Sequence, residues 1–410
     1  MGGSSTELNV LSPQSGVWDV PIAAYIHIPF CRRRCFYCDF PVSVIGDRLR
    51  GETSLSIQRY VNWICQEIRA TPSQGEPLAT VFFGGGTPSL LAAEQVWQIL
   101  ETLAERFGLS DSPEISMEMD PGTFTLEHVR DYRQAGVNRV SLGAQAFQDG
   151  LLHDCGRTHQ VVDIYEAIDR IRQANIENFS LDLISGLPHQ TLEQWRDSLA
   201  KAIALNPNHV SAYDLVLEPG TVFGKRFAVG ETPLPTDDLA AQMYGLASET
   251  LRGAGYGHYE ISNYAKPGFE CQHNLVYWRN GSYYGFGMGA ASYVQGQRFS
   301  RPRNRDAYAD WLQGYVAHEG RLDEPMTSES DRLFETFMLG LRRSGGVDLA
   351  VLEESFGCDR IERVKGALKN YEDRGWVIFS ADGRMRLSDP DGFLFSNSVL
   401  VALWEFLCCS

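Results

Sequence analysis

Residues 23–40 read AAYIHIPFCRRRCFYCDF. An apolar run of six, Ala23 to Ile28, has the length and β-branched content of a buried strand. Three cysteines follow within eight residues, Cys31, Cys35 and Cys38, in a C-x3-C-x2-C spacing. Three soft thiolates on one tight loop suit iron–sulfur or zinc. Structural zinc normally takes four ligands from two pairs, and no second pair or nearby His completes such a set; His27 precedes the loop but lies on the strand-like run. In a four-iron cluster three ligands leave one iron open to a small molecule, which marks a chemical site.

Outward from this loop the same unit recurs. Further β-like runs lie at 79–83, 114–119, 138–145, 178–184 and 210–215, with helical stretches at 56–70, 93–107, 126–135, 162–174 and 192–204. Such alternation predicts βαβ units and a parallel sheet. Six units are fewer than the eight of a closed barrel, so an open three-quarter barrel or a doubly wound sheet is expected. Either places ligands at the carboxyl ends of the strands. Prolines and glycines from Pro219 to Pro235 break the pattern before a helix at 237–251 and a Gly- and aromatic-rich stretch at 256–293. The predicted organisation is a loose lead-in at 1–20, a partial barrel at 21–235, a connecting region at 236–326 and a C-terminal domain at 327–410. Helices at 328–343, 349–354 and 359–374 precede two β-like runs, 376–380 and 384–387, facing each other across Asp382-Gly383. That order resembles a winged-helix module.

Charge and composition narrow the classes. The 410 residues carry 36 Lys and Arg against 52 Asp and Glu, a net charge of −16. This disfavours nucleic acid or an anionic membrane held by bulk electrostatics, and it leaves the C-terminal module more suited to covering the open barrel or docking a partner than to DNA. The longest apolar run, Val399 to Trp404, is too short to span a bilayer, so no integral membrane segment is expected, though a peripheral contact is compatible with the sequence. Residues 1–20 lack the features of a signal peptide, and no Lys or Arg precedes Arg32. The expected compartment is the cytoplasm. Nine unevenly placed cysteines do not form a disulfide framework.

Other segments carry polar groups where ligands would lie. Phe83-Gly84-Gly85-Gly86-Thr87-Pro88 follows the second run, and no Lys at the required spacing makes it a phosphate loop. Glu118, Gln145, Arg157 and Asp182 fall in or just after later strands. A charge inside an apolar strand costs free energy unless paired or used; a structural ion pair such as Arg157 with Asp182 is the alternative to a binding role. Gly285-Phe286-Gly287-Met288-Gly289-Ala290 mimics a dinucleotide fingerprint but opens no βαβ unit, and reads as close packing. Arg32, Arg33 and Arg34 read as a solvated face, or as an attractor for the carboxylates of a ligand or for an acidic electron donor.

The cysteine spacing, with Tyr25-Ile26-His27-Ile28-Pro29-Phe30 before it and Asp39-Phe40 after it, resembles the radical S-adenosylmethionine (SAM) superfamily, in its oxygen-independent coproporphyrinogen III oxidase-like branch. The resemblance covers roughly residues 21–400 and implies the open partial (β/α)6 TIM-like barrel of the radical SAM type with a C-terminal winged-helix-like domain. It implies a [4Fe–4S] cluster on Cys31, Cys35 and Cys38, with SAM on the open iron. It implies SAM contacts at Tyr25, Tyr37, Gly85, Gly86, Thr87, Glu118, Gln145, Arg157 and Asp182. The oxidases carry a further Cys two residues after the third, where this chain has Phe40, and a longer lead-in. These departures point to the HemW-like branch. His273-Asn274-Leu275-Val276-Tyr277-Trp278 matches the H-N-x-x-Y-W pattern associated there with heme, which makes His273, or nearby Cys271, a candidate heme ligand. The expected function is a heme chaperone that passes heme to acceptor proteins and draws on an electron donor. The alternative is oxidative decarboxylation of coproporphyrinogen III, which leaves open whether the chain is an enzyme.

Overall fold

The computed structural model describes residues 20–47 and 50–408; the lead-in at 1–19 lies outside them. The described residues fall into two compact units, 20–326 and 327–408.

In the first unit the six apolar runs form strands β1 (Ala23–Ile28), β2 (Leu78–Gly85), β3 (Leu109–Met119), β4 (Arg139–Gln145), β5 (Asn178–Ser185) and β6 (His209–Asp214). Helices α1 (Leu55–Ala70), α2 (Ala93–Phe107), α3 (Leu126–Ala135), α4 (Val161–Gln173) and α5 (Leu192–Ala204) connect them. Helix starts are fixed locally: the hydroxyls of Ser54, Thr125 and Thr191 accept the N–H groups of Ile57, His128 and Gln194. In α1 the buried Ile57, Tyr60, Val61, Ile64 and Ile68 repeat at helical spacing and pack into the common core.

Residues 236–326 add α6 (Asp237–Gly253), β7 (Gly257–Glu260), β8 (Asn263–Ala265), α7 (Gln272–Trp278), β9 (Tyr284–Phe286) and α8 (Arg305–Ala317). Read from sequence as a connecting region, they extend the main sheet at both edges, whose order is β9-β1-β2-β3-β4-β5-β6-β8-β7. Strands β1 to β6 are parallel and lie in sequential order. That is the winding of a barrel; a doubly wound sheet would reverse direction at its first strand. β9 joins β1 in parallel, whereas β8 and β7 close the other edge antiparallel.

Alternation along the strands divides the residues into two faces. Val81, Phe83, Ile115, Met117, Val140, Leu142, Phe179, Leu181 and Val210 belong to the apolar core with the helices. The alternate set is largely polar: Thr80, Glu114, Glu118, Arg139, Ser141, Ser180, Asp182 and His209. A parallel sheet buried on both faces is ordinarily apolar on both; this one keeps a polar face for a lining.

The segment Gly285 to Ala290 packs closely, as its sequence suggests. A Cβ at Gly285 would stand 1.9 Å from the Ala291 carbonyl oxygen, and one at Gly289 2.3 Å from Pro41 Cγ.

The second unit contains α9 (Glu329–Gly340), β10 (Val347–Asp348), α10 (Leu349–Phe356), α11 (Cys358–Ala367), β11 (Val377–Phe379), β12 (Arg384–Leu387) and α12 (Ser396–Cys408). Its sheet is antiparallel in the order β10-β12-β11, with Gly383 at φ +80° in the hairpin turn. The helix expected at 359–374 breaks at Leu368, after α11, and resumes only as a short turn, Lys369–Asp373. Among the described residues no helix is long and apolar enough to cross a membrane.

Candidate cofactor site at the carboxyl ends of the strands

Cys31, Cys35 and Cys38 are free thiols, each half-buried, on the loop that leaves β1. Several elements brace the loop. The Phe36 amide donates to the Cys155 carbonyl at 3.0 Å, and the Phe223 amide to the Phe36 carbonyl at 2.9 Å. The Phe36 and Tyr37 rings pack on Phe223 at 6.0 and 6.5 Å. Arg34 Nε donates to the Cys38 carbonyl at 3.1 Å, and Arg303 Nη2 to the Asp39 carbonyl at 2.6 Å. Burial, eased by the Thr87 hydroxyl and reinforced by Asp120 and the two neighbouring thiols, pushes the Cys31 thiol up to about 12. The three sulfurs therefore lie within one another's electrostatic reach, and a metal centre must displace a proton there.

β2 brings its glycines under this loop. Gly85 has φ +111°, and a Cβ on it would lie 2.4 Å from the His27 ring, so only glycine fits. The Gly86 and Thr87 amides donate to the carbonyls of Ile28 (2.8 Å) and Phe30 (2.7 Å). The Thr87 hydroxyl reaches Asp120 Oδ2 at 3.1 Å and Cys31 Sγ at 3.6 Å. The Gly85 amide donates to Glu118 Oε2 at 2.9 Å. Burial, only partly offset by that bond and reinforced by Asp182 and Asp120, raises the Glu118 carboxyl to about 7.

Arg157 does not pair with Asp182. Its Nη2 donates to Asp120 Oδ1 at 2.5 Å and to the Gly143 carbonyl at 3.0 Å, while Nη1 points at Cys35 Sγ at 3.5 Å. Burial opposes its charge, but Asp120, Tyr37 and Cys35 outweigh burial and hold the guanidinium protonated. Asp182 instead accepts from Ser141 at 2.8 Å and Ser180 at 3.1 Å; burial still raises it. Gln145 ends β4 at φ +65°, a costly conformation for a side chain with a Cβ. A Cβ on Gly143 would lie 2.8 Å from Gln145 Nε2, 3.1 Å from Asp120 Oδ1 and 3.3 Å from Arg157 Nη2, so these three groups converge above that glycine. Tyr25 donates toward, or accepts from, His27 Nδ1 at 3.1 Å, and burial keeps both Tyr25 and Tyr37 neutral phenols.

Most of the residues singled out from sequence thus gather around one loop. Asp120, which ties Thr87 to Arg157, was not singled out; its signal was a carboxylate at the end of an apolar run before Pro121-Gly122. His273 lies elsewhere. It sits in α7, whose first amides, Gln272 and His273, are capped by Glu114 at 3.1 Å each. Its Nδ1 meets Thr80 Oγ1 at 2.8 Å, near the amino end of β2, and its Nε2 meets the Tyr277 hydroxyl at 2.8 Å. In this conformation neither ring nitrogen is open to iron. Cys271 is fully buried with its thiol toward Glu114 at 3.7 Å.

Comparison with known proteins gives the family and the fold. Residues 25–202 match the radical SAM superfamily model, and residues 327–394 match that of the HemN C-terminal domain. The heme chaperone HemW of Synechocystis sp. is 44% identical over 96% of this chain and 98% of its own length. The protein of that name from Bacillus subtilis is 36% identical over 93% and 98%. Among solved structures, coproporphyrinogen III oxidase (HemN) from Escherichia coli, described as a radical SAM enzyme, superposes with a TM-score of 0.78 at 21% identity, over 95% of this chain and 91% of that one. At that identity the likeness speaks for the fold. With a three-cysteine loop at the mouth of a six-unit parallel sheet and full-length relatives of one kind, the chain belongs to the HemW family of the radical SAM superfamily.

Proposed function

We propose that this chain is a cytoplasmic heme chaperone that binds heme, holds SAM on a cluster-bearing loop, and delivers heme to acceptor proteins. Superfamily membership implies SAM and a [4Fe–4S] cluster. The carrying observation is that the two heme chaperones compared above match it along 98% of their own length, through both units. The position of the oxidases' further cysteine is held by Phe40, 57% exposed, which favours this reading over decarboxylation of coproporphyrinogen III.

The residues suit the cofactors. Cys31, Cys35 and Cys38 supply three thiolates and no fourth, so a four-iron cluster would keep one iron for SAM. When bound, that pair supplies one-electron chemistry at the sulfonium. The chain's own groups do the placing. Arg157 and Thr87 direct N–H and O–H toward two of the sulfurs and offset their charge. The bare backbone of Gly85 and Gly86 leaves room for the methionine end of SAM. Tyr25, Tyr37, Thr87, Glu118, Gln145, Arg157 and Asp182 complete its pocket, and Glu118 and Asp182 offer acceptors for its hydroxyls.

Anaerobic reconstitution with iron and sulfide, followed by heme titration and incubation with an apo-hemoprotein, tests the reading. Stoichiometric heme uptake and transfer are expected. Steady formation of protoporphyrinogen IX from coproporphyrinogen III, SAM and an electron donor would overturn it in favour of the oxidase.

A further inference from the structure

We infer that His273 is a positioning residue for the SAM pocket and not the axial ligand of a heme: it is the lowest ring of a stack, His273–Phe82–Tyr25, that sets Tyr25 and Glu118 from beneath. The inference rests on the assignment of SAM to Tyr25 and Glu118 made above.

A ligating imidazole needs one nitrogen lone pair free and a path for the iron. His273 is 1% exposed. Its two nitrogens face two hydroxyls, Thr80 and Tyr277, each at 2.8 Å, and a hydroxyl can donate to one nitrogen and accept from the other. The neutral ring is therefore fully satisfied where it is, and burial lowers its pKa to about 3. Freeing it would break both bonds and the stack on Phe82.

What the ring does touch leads to the pocket. It stacks on Phe82 at 5.2 Å and 27°, and Phe82 stacks on Tyr25 at 6.3 Å and 24°. Tyr277 meets the His273 ring edge-on at 5.0 Å and 85°. The upper end of the stack lies over Gly84, where a Cβ would lie 2.9 Å from Tyr25 Cε2, 3.0 Å from Phe82 Cε1 and 3.2 Å from Glu118 Cδ. Tyr25, Phe82 and Glu118 thus meet over the bare backbone of Gly84, and Phe82 in turn rests on His273.

The test uses the full-length, cluster-loaded protein and two readouts: SAM affinity from the change SAM makes in the EPR signal of the reduced cluster, and heme affinity with its absorption spectrum. Phe82→Leu removes the middle ring and leaves His273 in place. It should weaken SAM about tenfold, the scale of one well-placed ring contact. His273→Ala should do the same and His273→Gln, which keeps a hydrogen-bonding end, should recover part of the loss. Heme affinity and spectrum should stay within about twofold of wild type throughout. Wild-type SAM affinity in Phe82→Leu would overturn the inference, as would loss of the heme spectrum in His273→Ala with SAM binding intact. If His273→Ala fails to fold, His273→Gln and Phe82→Leu decide together: unchanged SAM affinity in both, or a lost heme spectrum in His273→Gln with SAM binding intact, overturns the inference. A wild-type protein that does not bind SAM at all would instead sink the underlying cofactor assignment, and the stack's role with it.

Discussion

Around the cysteine loop, single side chains do two jobs at once. Arg157 balances Asp120 and leans on Cys35, and Thr87 bonds Asp120 while pointing at Cys31. Asp120 therefore sets the direction of two donors that touch sulfur. Replacing any one of Cys31, Cys35 or Cys38 by Ala should remove the brown chromophore and most of the iron, measured by absorbance and iron content after anaerobic reconstitution; a triple replacement that keeps a four-iron cluster would refute the ligand assignment. Glu118 gives a prediction with a sign. Its folded carboxyl titrates near 7 against an ordinary value of 4.5, so the folded protein binds the extra proton between those values. Its contribution to stability is present at low pH and lost as pH rises through that window. Glu118→Gln should gain stability relative to the parent as pH rises from about 4.5 to about 7 and then plateau, read from urea midpoints. The cysteines and the glycine run were legible in sequence because their roles depend on local spacing and missing side chains. Asp120 and the loss of the Arg157–Asp182 pairing were not, because which carboxylate an arginine meets is decided by sheet register.

Among the elements, α1 is anchored by a buried acid. Glu67 accepts from Arg301 Nε at 2.6 Å, Tyr308 at 2.6 Å and the Gly287 amide at 2.9 Å, and both partners of the ion pair are essentially solvent-free, at 1% and 0% exposure. Breaking a buried pair strands a charge. Glu67→Ala should therefore cost about 3–5 kcal/mol in urea denaturation, beyond any lost packing; a change below about 1 kcal/mol would show that Arg301 finds water. The five crossover helices were readable from apolar periodicity and capping hydroxyls. α7 and β9 were not: seven and three residues are too short to show a period, and their partners lie far along the chain, Thr80 and Glu114 for α7 and β1 for β9.

At the scale of the first unit, polar groups line a face that is ordinarily apolar, and several buried imidazoles of the unit are kept neutral. Burial lowers His27 and His159 to about 4 and His273 to about 3, and takes His209 well below its usual value. A depressed folded pKa means the unfolded chain protonates first as pH falls. This stability is present above about 6.5 and is lost as pH drops toward the folded values. Glu118, Asp182 and Asp214 slope the other way, but four imidazoles outnumber them. The urea midpoint of this unit's fluorescence transition should fall between about pH 6.5 and about pH 4.5, more steeply in Glu118→Gln; a midpoint that rises over that range would contradict the burial of these rings.

The bracing of the loop by Arg303 also sets a schedule. Asp39 waits for a guanidinium 264 residues downstream, and β1 for an outer neighbour at Tyr284–Phe286. During synthesis at about 5–20 residues per second, the thiols emerge well before either arrives. Nascent chains thus present them unguarded for an interval, and metal loading that requires the finished cradle must wait until Arg303 has been made and has folded back on Asp39.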